Sequence, residues 1–170
     1  PMKYAIYSSK GKELTVLHEV PLIEDLPKGF MAVRTGPRNF SWRSDRPSNL
    51  IFVEALDGGN PETDIKYRDE IFEVGYPFKQ NKVSLLKTIN RFYRIDWCND
   101  TLALGYDYWW NSRNTKTYIF SPSNTNKEPK IIIDRNYQDR YNDPGSFVKR
   151  RNFYGKSILA MNKQNLYLMG

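Results

Sequence analysis

The stretches Asn39-Phe40-Ser41-Trp42-Arg43-Ser44-Asp45 and Arg94-Ile95-Asp96-Trp97-Cys98-Asn99-Asp100 stand 55 positions apart and follow one plan. Each places a Trp three residues before an Asp. Each then leads into a short apolar run, Leu50 to Val53 in the first and Thr101 to Leu104 in the second. Propeller blades recur at about 40 to 50 residues, so the spacing is of blade size. Trp42, Asp45, Trp97 and Asp100 are read as markers of blade starts, the two Asp side chains accepting hydrogen bonds from turn amides.

Around each copy the sequence predicts four strands joined by tight turns. The first copy gives Asn39 to Trp42, Leu50 to Leu56, Asp69 to Val74 and Lys82 to Thr88, linked by Gly, Pro, Asn and Asp clusters. The second gives Tyr93 to Trp97, Leu102 to Trp110, Thr115 to Phe120 and Lys130 to Asp134. Before them, Lys3 to Tyr7 and Glu13 to Val20 read as a hairpin about Ser8-Ser9-Lys10-Gly11, matching the last two strands of a blade. After them, Ser146 to Lys149 and Lys156 to Ala160 match the first two strands, and Asn165 to Met169 is a further candidate.

The expected organisation is therefore a half blade (1–20), a loop (21–38), two blades (39–90 and 91–136) and a partial blade (137–170). The fold class is all-β: a partial β-propeller with two full four-stranded antiparallel blades and partial blades at both ends. The loop carries Pro21, Pro27, Gly29, Gly36 and Pro37, too many breakers for a regular element, and a loop of that length needs a functional or packing reason. No window holds apolar residues at helical spacing over ten or more positions. Pro1-Met2-Lys3 runs straight into strand-like sequence, which reads as a start inside a longer protein.

Composition agrees with a single β domain. The 170 residues include 12 Tyr and 4 Trp, types that suit half-buried pleated surfaces. The net charge of +7 comes from basic residues that are scattered apart from Lys149-Arg150-Arg151, so it reads as a solvated basic surface that admits anionic partners without requiring them. The single cysteine, Cys98, excludes an internal disulfide and reads as a small packed residue. No apolar run reaches the length of a membrane span, and no membrane contact is expected.

Several stretches resemble the propeller region of the glutamyl endopeptidase-like branch of the prolyl oligopeptidase serine peptidases. They are Leu26 to Arg38, Phe40 to Asp45, Val53 to Gly59, Trp109 to Thr117 and Asp134 to Ser146, within a collinear resemblance from about Lys12 to Gly170. It implies an N-terminal propeller covering a C-terminal α/β-hydrolase domain that holds the whole Ser-Asp-His triad. This chain would match only the propeller, with the hydrolase domain and peptide substrate as its partners. The resemblance further implies an exported bacterial or a plastid protein, and a preference for cleavage after Glu.

The residues themselves offer no catalytic set. Gly155-Lys156-Ser157-Ile158-Leu159 comes nearest to a nucleophile elbow but lacks its second Gly, and His18 is the only His. No metal-ligand spacing and no phosphate cradle occur, so no cofactor is expected. The carboxylate pairs Asp139 with Asp143 and Glu54 with Asp57 read as turn formers. The remaining candidates are basic and aromatic. Arg34, Arg38 and Arg113 would guide acidic substrate, and Trp109 and Trp110 would line its path, against the plainer reading that these aromatics pack between blades. The rival from another class is a self-contained β module binding polysaccharide or single-stranded nucleic acid. Open strand edges would also favour self-association.

Overall fold

The structure, a computed structural model, describes residues 2–20, 26–79 and 81–170. All the helix-or-strand structure among them is β, as the sequence predicts. β1 (Met2–Tyr7) and β2 (Glu13–Val20) pair as an antiparallel hairpin, turned where the Gly11 amide donates to the Ser8 carbonyl. β3 (Arg38–Trp42), β4 (Asn49–Ala55), β5 (Asp69–Gly75) and β6 (Val83–Thr88) then form a four-stranded antiparallel meander in chain order. β7 (Arg91–Asn99), β8 (Leu102–Trp109), β9 (Asn114–Phe120) and β10 (Lys130–Asn136) form a second.

The two sheets stack face to face, because their strands are apolar on both sides. Ile51 and Val53 of β4, Ile71 of β5 and Leu86 of β6 meet Phe92, Trp97, Ala103, Tyr118 and Phe120 of the second sheet in one continuous core. The alternate residues of the first sheet, Leu50, Phe52, Phe72 and Val74, face the opposite way and pack with Leu17 of the leading hairpin and with Phe40. Cys98 and Leu104 face away from the shared core in the second sheet and meet Leu159, with Phe147 and Leu166 alongside. Strands buried on both faces read as near-continuous apolar runs. Full burial of a side chain such as Ile71 or Leu104 contributes about 1.5–3 kcal/mol.

Beyond Asn136 the chain is more broken than the sequence predicts. β11 (Ser146–Phe147) pairs with β16 (Leu168–Met169), β12 (Lys149–Arg151) with β13 (Ser157–Leu159), and β14 (Met161–Asn162) with β15 (Asn165–Leu166). Val148 is the exchange point: its amide donates to Tyr167 and its carbonyl accepts from Ala160, so the chain changes partner there. The expected single strands Ser146 to Lys149 and Asn165 to Met169 are each divided as a result. The described residues build two complete four-stranded sheets and do not close a ring.

Residues 21–25 of the expected long loop lie outside the described residues. Leu26 to Pro37 carries no strand, and its packing reason is visible. The Val33 amide donates to the Gly59 carbonyl at 3.1 Å, and the Met31 carbonyl accepts from Arg91 Nε at 2.9 Å. The loop thus lies across the turn after β4. A Cβ on Gly59 would stand 1.9 Å from the Val33 oxygen, whereas one on Gly58 would meet nothing within 4 Å, although both residues have positive φ. Gly58→Ala should therefore cost only about 1–2 kcal/mol for its left-handed backbone. Gly59→Ala should cost clearly more, since the loop must also lift; urea midpoints of the two variants measure the difference.

Candidate functional site

The start of β3, β5 and β7 and the end of β4 and β8 lie at the same end of the stacked sheets, and buried charges gather there. Asp69, the first residue of β5, is fully buried and accepts from Arg38 Nη2 at 2.5 Å, from Arg91 Nη1 at 3.0 Å and from the Phe92 amide at 2.8 Å. Asp57, in the turn after β4, accepts from Arg91 Nη1, from Arg68 Nη1 and from the Gly59 amide, each at 2.9 Å. Arg91 Nη2 lies 2.8 Å from Asp57 Oδ2, close enough for ion pairing though off the hydrogen-bond axis.

Most of the sequence-predicted guiding residues border this cluster. Arg38 belongs to it, and Trp109 lies under the Arg68 guanidinium at 4.2 Å. Trp110 lies against Arg113, 3.8 Å from its ring centre, and stacks at 5.5 Å with Phe30, which remains largely exposed. Arg34 stands over the Tyr4 ring at 5.5 Å. Arg34, Arg38 and Arg91 line one cavity of about 430 Å³ with Tyr4, Met31 and Tyr108; Trp109, Trp110 and Arg113 lie outside it. A larger cavity, about 640 Å³, opens between Leu86 and Ile131, but it gathers no comparable set of buried charges.

Sequence reasoning missed Arg91, Arg68, Asp57 and Asp69 as members. The available signal was weak: charged residues placed at strand ends beside apolar runs, a pattern shared with solvated turns. Asp57 does cap the Gly59 amide, as its reading as a turn former expects, but it also carries two guanidiniums. Asp139 and Asp143 accept from the turn amides of Tyr141, Asn142 and Gly145, and Asp143 also pairs with Arg135 at 2.8 Å.

The opposite end of the sheets corrects the reading of the repeat. Asp45 and Asp100 bind a side chain rather than turn amides. Arg43, with both its terminal nitrogens and Nε engaged, donates to Asp45 at 2.7 and 3.1 Å, to Glu73 at 2.9 Å and to Asp100 at 3.3 Å. Its guanidinium lies 4.3 Å over the ring of Trp97. The two Trp residues are consequently unequal: Trp97 is buried under Arg43, whereas Trp42 is half exposed with its edge against Phe78. The turn-amide role falls instead to Asn99, which accepts from the amides of Thr101 and Leu102.

The two ends differ electrostatically. Burial opposes the charge of Arg43, but Asp45 and Glu73 outweigh it and hold its pKa above the ordinary value. Burial pushes the Arg38 guanidinium below its ordinary value, and neighbouring Arg91 adds to that effect against the pull of Asp69. Arg43 is fully answered; Arg38 is not.

Other chemistry finds no assembled site. His18 faces Gly36, its Nε2 has no partner among the described residues, and burial followed by the charge of Arg34 lowers its pKa. Burial raises the Cys98 thiol, which packs against the Leu159 carbonyl. Among the described residues, no group of three or more His, Cys, Asp or Glu is arranged to hold a metal ion.

With this geometry in place, comparison with known proteins is specific. The chain is 35% identical over 166 residues to a probable chloroplastic glutamyl endopeptidase of Arabidopsis thaliana, covering 96% of this chain and 17% of that protein. A probable chloroplastic glutamyl endopeptidase of Oryza sativa subsp. japonica is 33% identical over 174 residues, covering 99% of this chain and 19% of the relative. The chain is glutamyl endopeptidase-like. It spans less than a fifth of the length of these curated relatives. No family model and no solved structure matches it.

The buried cluster makes one energetic demand plain. Asp69→Ala would leave Arg38 and Arg91 facing each other across a dry space, and removal of one partner from a buried ion pair costs about 3–5 kcal/mol. Arg113→Ala, which breaks a half-exposed stack on Trp110 and one long hydrogen bond to the Tyr137 hydroxyl, should cost about 1 kcal/mol. Urea denaturation with an unchanged slope should report this contrast, and equal midpoints would contradict the structural role given to Asp69.

Proposed function

We propose that this glutamyl endopeptidase-like chain is a non-catalytic part of a β-propeller in a serine peptidase of prolyl oligopeptidase type. There it gates access and helps position peptides for a separate hydrolase domain, with cleavage after Glu. The observation that carries the reading is the collinear similarity to two relatives named as glutamyl endopeptidases, over a segment built as two stacked four-stranded meanders. Stacked meanders of this kind are the material of propeller blades. A plastid setting is in keeping with the chloroplastic relatives.

Arg34, Arg38 and Arg113 serve in this reading as electrostatic guides for acidic peptide, with Trp109 and Trp110 along its path. Positive groups around a low-dielectric cleft raise the local concentration of anionic substrate. The rival reading, a free-standing module that stacks sugars or bases, has less support. Tyr106, Trp109 and Trp110 are each already covered by a guanidinium of the same chain, from Arg94, Arg68 and Arg113 respectively.

The test uses the full-length protein and matched peptides with Glu or Gln before the cleaved bond. Arg113→Glu should raise KM for the Glu peptide by roughly tenfold, with kcat and the Gln peptide little changed, because steering acts on encounter. Unchanged kinetics would remove Arg113 from the path. Absence of any peptidase activity in the full-length protein would remove the reading itself.

A further inference from the structure

The end of the sheets opposite Asp69 is made of turns, and hydrogen bonds tie those turns into one face. The Tyr76 amide, after β5, donates to the Ser48 carbonyl of the β3–β4 turn at 3.1 Å, and the Ser123 amide, after β9, donates to the Asp100 carbonyl of the β7–β8 turn at 2.8 Å. Asn152, in the β12–β13 turn, donates from Nδ2 to the Ser44 carbonyl at 2.7 Å. That turn is also held from within, because Asn152 Oδ1 accepts from the amides of Tyr154 and Lys156 at 3.0 and 2.9 Å. Its tip carries Phe153 and Tyr154, where polar turn formers are usual. Phe153 is 98% exposed, and the two rings meet edge to face at 5.7 Å. Trp42 and Tyr76, both more than half exposed, border the same face, each edge-on to Phe78.

Basic residues that are scattered in the sequence gather here. Arg46, Lys79, Lys127, Arg151 and Lys156 are exposed on or beside the linked turns. The carboxylates among them are mostly engaged: Asp45 is enclosed against Arg43, and Asp100 pairs with Arg43 and Arg46, while Glu128 stands exposed beside Lys127. The face is therefore positive and carries projecting aromatic rings.

We propose that this face docks on the surface of an anionic lipid bilayer, with Phe153 and Tyr154 entering the headgroup region and the Lys and Arg side chains meeting lipid phosphates. Aromatic rings concentrate at that depth of a membrane, and each Lys or Arg near an anionic leaflet strengthens attachment. A wholly exposed Phe gains by leaving water and needs no shaped partner to do so. A single-stranded nucleic acid would instead call for a groove that tracks its backbone, with rings along the floor. These rings project from a hairpin tip. Docking of this kind stays at the bilayer surface and needs no spanning run, and it departs from the sequence expectation of no membrane contact. It is independent of the peptidase reading.

Vesicle sedimentation of the full-length protein tests the face, with phosphatidylcholine vesicles and with vesicles in which about a quarter of the lipid is phosphatidylglycerol. Binding should be at least about tenfold stronger to the anionic vesicles. Phe153→Ser should weaken that binding by about tenfold and leave the urea midpoint unchanged, since nearly all of the ring is already in water. Phe153→Trp should retain it. Lys79→Gln combined with Lys156→Gln should weaken it by about tenfold or more, each charge near the surface contributing about fivefold.

Equal sedimentation with both kinds of vesicle would overturn the proposal, as would undiminished binding by Phe153→Ser. A clear fall in the urea midpoint of Phe153→Ser would mean that another part of the full-length protein covers the hairpin, and would also overturn it. So would release from the vesicles by a single-stranded oligonucleotide at matched phosphate concentration, which would assign the face to nucleic acid.

Discussion

One guanidinium, that of Arg91, organises the upper end of this molecule. It is the first residue of β7, yet its partners belong to the other sheet and to the loop: Asp57, Asp69 and the carbonyl of Met31, the last 60 residues away in sequence. Apolar packing between the sheets is not directional, so it fixes contact without fixing alignment. The Arg91 fork supplies the alignment. Shifting one sheet along the other would strand its charge and two carboxylates in a dry space, a penalty larger than any gain from repacked side chains. In such a place a buried ion pair is better understood as specifying the arrangement than as adding net stability.

The lower end is held by a second buried guanidinium, and the comparison between the two is instructive. Arg43 bridges sheets as Arg91 does, from Glu73 and Asp45 to the Asp100 turn, and also covers Trp97. Every strong donor there has a carboxylate or an aromatic face to answer it. At the upper end Arg38 Nη1, as deeply buried, has no partner among the described residues. The same sheets therefore carry one closed electrostatic clamp and one that leaves a buried donor unanswered among the described residues.

Much of the fold is legible in the sequence because it depends on local signals. Apolar runs bounded by Gly, Pro, Asn and Asp mark the strands of both meanders to within a residue or two, and β1–β2 is a hairpin as its turn sequence predicts. The site is less legible, since what makes Arg38, Arg91, Asp57 and Asp69 matter is pairing across 11 to 34 positions, invisible to any local pattern. Arg34 and Arg38 are found through the family resemblance, while Arg91 has no sequence signal beyond its place at a strand end. The Trp-x-x-Asp repeat shows the converse error. Trp42 and Trp97 occupy equivalent chain positions but unequal layers, one at the face toward the leading hairpin and one in the core between sheets, and the Asp after each serves a single Arg present only in the first copy.

Unsatisfied charge at one end of a well-packed pair of sheets must be stabilised by something, and the source is structural rather than local. Arg38 cannot swing away to water without abandoning Asp69, and Asp69 cannot follow because both its oxygens also hold Arg91 and the Phe92 amide. The core beneath, with Val53, Ile71 and Ala103 fully enclosed, resists the backbone movement that would relieve them all. The unanswered donor of Arg38 is thus held in place by interactions that do not involve it. A buried donor without a partner among the described residues, such as Arg38 Nη1, is a breach of the local rule that its surroundings enforce.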